Sequence, residues 1–234
     1  MVMEAKNKTV LVLFSGGLDS TYLVYKNLKE GNRVQPIYIE LNNNREKSII
    51  ERIQTQKLID LFDQEFNVDT NRIYNIAKPM QLLVNSSAPE LTFRQMPAWI
   101  TGIMYSNELS EADEVHIGYV MNDSAISYLE DIKRIYYAYQ GIVNKKLPRL
   151  MFPLIKLDKP MISNMLPERY KELTITCEVP RLALSGSGVK YFDCGDCDPC
   201  KRAVKLNLHP DRINDNPDKA PALGINIHTV KLSE

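Results

Sequence analysis

The sequence contains no apolar run of the roughly 18 residues that a membrane-spanning helix needs. Its opening stretch, MVMEAKNKTVLVLF, is too short in apolar residues for a secretion signal, so the expected compartment is the cytoplasm. There is no excess of either charge: 29 lysines and arginines stand against 29 aspartates and glutamates. A balanced chain has no global field toward nucleic acid or anionic lipid, so a nucleic-acid partner is not expected. Histidine is scarce, with three residues, and no nucleophilic Cys-His pair is visible. Cysteine is scarcer than in a disulfide scaffold: there are four, and in a reducing compartment they are not expected to pair covalently. The remaining composition, 44% hydrophobic and 25% charged, is that of an ordinary globular protein.

What is present is a rhythm of short apolar runs and helical stretches. Residues 9–14 read as a buried strand and 20–30 as a helix with Gly31 beyond its end. Further strands are expected at 34–41, 72–77, 115–120 and 150–155. Helices are expected at about 45–66, 97–109 and 127–141, with Pro97 in a first turn. Such alternation gives an α/β fold, a doubly wound parallel sheet of five strands covered on both faces. The rhythm stops near Pro160. The expected division is therefore 1–159 for the sheet domain and 160–234 for a C-terminal, metal-binding helical subdomain.

Only ten residues are glycine, yet Gly16 and Gly17 are adjacent, within SGGLDST at residues 15–21. This stretch follows the first strand and opens the first helix, at the sheet edge where doubly wound folds bind ligands. Glycines let backbone N–H groups face outward, and a helix N-terminus adds partial positive charge, which suits phosphate. It lacks the Gly-Lys-Ser/Thr of a Walker loop and is not the G-x-G-x-x-G dinucleotide fingerprint. The plainer alternative is a strand-to-helix turn capped by Asp19 or Ser20.

A second cluster lies at Cys177 and CGDCDPC, giving Cys194, Cys197 and Cys200. Two C-x-x-C steps and a fourth cysteine suit a closed tetrahedral zinc site with a structural role, or an iron–sulfur cluster. Among other residues, His116 reads as a core histidine inside a strand, while His209 and His228 read as surface residues. Tyr136, Tyr137 and Tyr139 read as helix packing.

SGGLDST resembles the pyrophosphate loop of the N-type ATP pyrophosphatases, an adenine-nucleotide α-hydrolase-like fold. The resemblance implies cleavage of ATP between its α- and β-phosphates, with the substrate adenylated. It places Phe14, Ser15, Gly16, Gly17, Leu18, Asp19, Ser20, Thr21 and Ile39 around the nucleotide, and has Asp19 place Mg2+. The cysteine pattern is similar to that of the 7-cyano-7-deazaguanine synthase branch. There PLIKLDKP (153–160) gives Lys159 near the nucleotide, HIGYVMNDS (116–124) gives Asp123, and LTITC (173–177) leads into the first zinc cysteine. Ser15, Asp19, Asp123 and Lys159 are then the expected catalytic set.

The acceptor half departs from that branch. IELNNNRE, FRQMPAWI and SAISYLEDIK stand where the family shows other segments. Arg94, Glu130 and Asp131 are the candidate acceptor contacts in this chain. By resemblance the reaction joins ammonia to a deazapurine carboxylate such as 7-carboxy-7-deazaguanine, giving an amide and then a nitrile. The rival expectations are a tRNA thiolase that uses the cysteines for a cluster, and a nucleotide-binding homologue without turnover. A homodimer is left open.

Overall fold

The computed structural model describes residues 8–41, 44–66, 75–80, 95–106, 111–185, 188–209 and 212. The chain divides into two compact units, 1–176 and 177–234.

In the first unit, β1 (Thr9–Leu13) is the central strand. Its residues Val10, Leu11 and Val12 have no exposed surface, as a strand covered on both faces requires. It pairs in parallel with β2 (Arg33–Leu41) on one side and β4 (Glu114–His116) on the other, and β4 pairs in parallel with β5 (Arg149–Met151). These four strands keep one continuous register. A further segment, β3 (Asn75–Met80), joins the far end of β2 in parallel across a register shift between Ile39 and Leu41. The full order is β3-β2-β1-β4-β5. The regular parallel sheet is thus four strands wide against the five expected; of the third strand expected at 72–77, residues 72–74 lie outside the described residues and 75–77 fall in the irregularly paired β3.

Helices cover both faces. α1 (Leu18–Lys29) buries Tyr22, Leu23, Val24 and Asn27. Gly31, at φ +79°, ends it by supplying the left-handed residue that frees the chain to turn back. α2 (Arg45–Phe66) buries Ile50, Leu58, Ile59 and Phe62 along one stripe. On the other face, α3 (Gln95–Met104) and α4 (Leu129–Val143) close a core that includes Leu11, Ile39, Ile100, Ile103, Val115, Ile132 and Tyr136. A 3-10 turn (Ser124–Tyr128) precedes α4.

The expected domain boundary after residue 159 falls inside this first unit, at the first residue of α5 (Lys159–Met165). The segment beyond it is held by packing. Ile162 has no exposed surface. Tyr170 of α6 (Glu168–Lys171) is also fully buried and stacks on Phe62 at 4.7 Å between ring centroids. The second unit contains an antiparallel hairpin, β6 (Arg181–Ser185) with β7 (Gly188–Phe192), followed by α7 (Asp198–Lys205).

Candidate functional site

The glycine loop joins β1 to α1. Phe14, buried, donates its N–H to the Ile37 carbonyl at 2.8 Å and continues the β1–β2 ladder by one residue. The chain then turns at Gly16, whose φ of +73° suits glycine. Gly17 is the N-cap of α1, and no side chain caps the helix there. Glycine has no side chain to cap the helix, so the plainer alternative of a turn capped by Asp19 or Ser20 does not describe the N-cap position. Ser15 and Ser20 brace the loop instead. The Ser15 N–H donates to Ser20 Oγ at 3.3 Å, the two hydroxyls are 3.4 Å apart, and Ser20 donates to the Gly17 carbonyl at 3.2 Å. Leu18 and Thr21 are buried against the sheet.

Asp19, on the first turn of α1, accepts from the Lys159 ammonium through Oδ2. Lys159 is brought there by the start of α5, where the Asp158 carboxylate accepts the Met161 N–H at 2.8 Å and Pro160 fits the first turn. Two of the expected residues, 140 positions apart in sequence, thus form one charged pair beside the glycine loop.

The loop after β4 approaches the same place. A Cβ on Gly118 would stand 3.4 Å from the backbone of Asp19 and Ser20. Further along, Asp123 folds back on its own turn: Oδ2 accepts the Val120 N–H at 2.9 Å, and its N–H donates to the Val120 carbonyl. Ile39, buried in β2, touches α3 so closely that a Cβ on Gly102 would fall 2.5 Å from its Cδ1.

On the acceptor side, Glu130 and Asp131 stand exposed on the first turn of α4, where they pair with Lys133 at 2.8 Å and Arg134 at 3.0 Å. Arg94 lies outside the described residues.

His116 is satisfied within the core. The Asn27 amide donates to its Nδ1 at 3.3 Å, which assigns the proton to Nε2 for donation to Glu114 Oε2 at 2.9 Å. Burial pushes the His116 pKa down. Glu114 also accepts from Lys8 at 2.9 Å and from Arg149. Burial alone would raise its pKa, but the bonds from His116, Lys8 and Arg149 hold it down at about 2. His209, expected on the surface, is half-buried instead, and burial pushes its pKa down to about 3.

In the second unit, Cys177, Cys194, Cys197 and Cys200 converge, with all four sulfurs within 4.8 Å of one another. Cys194 and Cys200 Sγ are 3.9 Å apart. A single tetrahedral ion with metal–sulfur bonds of about 2.3 Å spaces its sulfurs by about 3.8 Å. A four-iron cluster, with one thiolate on each iron, needs them wider apart. The arrangement fits one ion. Gly195 at φ +79° makes the first C-x-x-C turn, and Cys197 occupies the N-cap position of α7, which carries Cys200. The N–H groups of Cys194 and Cys197 donate to Cys177 Sγ at 3.1 Å and to Cys194 Sγ at 3.4 Å, as suits thiolates. As bare thiols, burial pushes Cys177 up to about 12 and raises Cys200 further. A bound cation reverses that preference.

Fold and site together define an α/β protein with a glycine loop at the carboxyl edge of its sheet and a cluster of four cysteines that could hold a metal ion. No family model matches the chain. It is 27% identical over 210 residues to 7-cyano-7-deazaguanine synthase 2 of Rhodopseudomonas palustris, covering 83% of this chain and 94% of that protein. It is 26% identical over 227 residues to the 7-cyano-7-deazaguanine synthase of Pyrococcus abyssi, covering 83% and 90%. These relatives support a distant member of the 7-cyano-7-deazaguanine synthase family, and with it an enzyme. Among solved structures, NMN synthetase from Francisella tularensis aligns at 17% identity and a TM-score of 0.40, over 70% of this chain and 64% of that one. That likeness is too loose to bear on function. No helix among the described residues is long and apolar enough to cross a membrane.

Proposed function

We propose that the chain is an ATP-dependent carbon–nitrogen ligase that adenylates a deazapurine carboxylate, 7-carboxy-7-deazaguanine or a close relative, and joins it to ammonia. The observation that carries this reading is the Gly16–Gly17 turn at the start of α1 with the Asp19–Lys159 pair at its side. The N–H groups of the loop and of the first turn of α1 would receive the departing pyrophosphate, with Ser15 and Ser20 at its oxygens. Phe14 and Ile39 would border the nucleotide. Lys159 would meet phosphate charge, and Mg2+, held with the help of Asp19, would offset the charge of the leaving group. A substrate carboxylate oxygen attacks the α-phosphorus and the bond to pyrophosphate breaks. Ammonia then attacks the acyl carbon, releasing AMP and leaving an amide. A second adenylation, now of the amide oxygen, followed by loss of AMP and protons, gives the nitrile. The protein's share is positioning and charge neutralisation.

Asp123, on the loop whose Gly118 approaches Asp19, would help orient the acceptor. The two relatives named for the cyano product support the deazaguanine class. Arg94, Glu130 and Asp131 remain the proposed acceptor contacts. The four cysteines would hold Zn2+ in a structural role, in a reducing cytoplasmic setting.

The test is to incubate enzyme, ATP, Mg2+ and ammonium with 7-carboxy-7-deazaguanine and to follow nucleotides and products by mass. AMP and pyrophosphate should form with the amide and then the nitrile. ADP as the main product would overturn the adenylation reading, and AMP formed only with another acceptor would overturn the deazaguanine reading alone.

A further inference from the structure

The glycine loop is gripped from a distant part of the sequence. Beyond α6, residues 173–176 run past it as a strap, and the Ile175 N–H donates to the Gly16 carbonyl at 2.9 Å. A Cβ on Gly16 would stand 3.1 Å from Thr55 Cγ2 of α2 and 3.6 Å from Ile175 Cδ1, so the loop is held between helix and strap. The strap is anchored in turn. Thr174 is fully buried, and both its N–H and its hydroxyl donate to the Lys171 carbonyl, at 3.0 and 2.8 Å.

In a trans peptide the carbonyl and the N–H point to opposite sides of the chain. The Gly16 carbonyl and the Gly17 N–H belong to one peptide unit. Holding the carbonyl against Ile175 therefore turns the Gly17 N–H away from the strap, where it can serve as an anion donor. A peptide between two glycines is the one most free to flip. Flipping would put a carbonyl oxygen where a phosphate needs a donor. It would also carry Gly17 from its φ of −73° to the positive side, where residues other than glycine are strained.

We infer that Ile175 is a positioning residue whose main-chain N–H locks the Gly16–Gly17 peptide in the anion-binding orientation. The inference rests on the reading of the loop as a pyrophosphate site. It assigns the strap a task that its side chains do not reveal, and it explains why Gly17 bears on the lock although its own backbone angles suit other residues.

The experiment measures binding of magnesium pyrophosphate to the full chain by calorimetry. Ile175→Pro removes the donor. So does replacement of Ile175 by its α-hydroxy acid analogue, which leaves an ester without the proline ring and serves if the proline variant fails to fold. Either change should weaken binding about tenfold, the scale of one backbone hydrogen bond. Gly17→Ala added to either should recover most of the loss, because alanine resists the flipped φ. Its Cβ would meet only Ser15 Oγ at 3.5 Å and the Ile175 carbonyl oxygen at 3.6 Å. A strap acting merely through packing would show no such rescue. Unchanged affinity without the donor, or loss that Gly17→Ala does not repair, overturns the lock and leaves the ligase reading standing. A wild-type chain that binds no pyrophosphate overturns the pyrophosphate reading, and the lock with it.

Discussion

The glycine loop and the cysteine cluster are both short motifs with glycine at a turn, yet they are held by opposite means. The loop is closed by the protein's own atoms: Ser15 with Ser20, the Ile175 N–H on Gly16, and Lys159 on Asp19. The cluster brings together four thiols, two of which, Cys177 and Cys200, burial would otherwise keep protonated, Cys177 up at about 12. One motif is organised before its ligand arrives. The other has the donor set that a metal ion would organise.

The largest effect should come from stripping the cluster. Structural zinc contributes on the order of 10 kcal/mol to small domains. Cys194→Ser should therefore remove the single bound ion and the amide protection of residues 188–209, measured by metal analysis and hydrogen exchange. Amides of β1 and α1 should stay protected, and their loss would break the contrast. Next in size, Asp19→Ala should lower turnover of ATP to AMP by about 10²- to 10³-fold with the fold intact, the range for removing one preorganised charge at a leaving group. Circular dichroism beside the activity assay checks this.

Smaller is Gly102→Ala. Its Cβ would press on Cδ1, Cγ1 and Cγ2 of Ile39 together, so no rotation of one terminal methyl relieves it. Overpacking of this kind costs about 1–3 kcal/mol. Thermal unfolding should fall accordingly, and the KM for ATP should rise. The mildest effect concerns acid. Glu114, with its folded pKa depressed to about 2, contributes stability above the ordinary carboxylate range that fades as pH drops from about 4.5 toward 2. His116, also depressed, adds a loss that begins as pH falls below about 6.5, because the unfolded chain takes up the proton more readily. Glu114→Gln should flatten the lower limb, read from denaturant midpoints across that pH range.

Much of the first half was legible because its signals are local. β1, the loop and α1 follow from an apolar run, a glycine pair and helical spacing, and α2 lies where its apolar stripe places it, at Arg45–Phe66. Placement failed where distant contacts decide. β3, described from Asn75, meets the far end of β2 across a register shift that no local signal marks. The segment after residue 159 belongs with the sheet because Tyr170 finds Phe62, a pairing that no window of sequence contains. The four cysteines were legible from spacing, whereas the Asn27–His116–Glu114 chain and the Ile175 strap were not. A main-chain donor has no sequence signature at all. Gly102 had one, a lone glycine inside a helical pattern, which signals close approach.

The placement of β1 in the middle of the sheet bears on the order of events during synthesis. β1 is made well before its partner β4 and before the residues that complete the loop beside it, Lys159 and Ile175. Pairings between such distant positions are slow to form. Of these segments the earliest made is thus completed only once the latest has followed. A nascent chain that stops short of α5 carries the whole glycine motif and still lacks the contacts that hold it in shape.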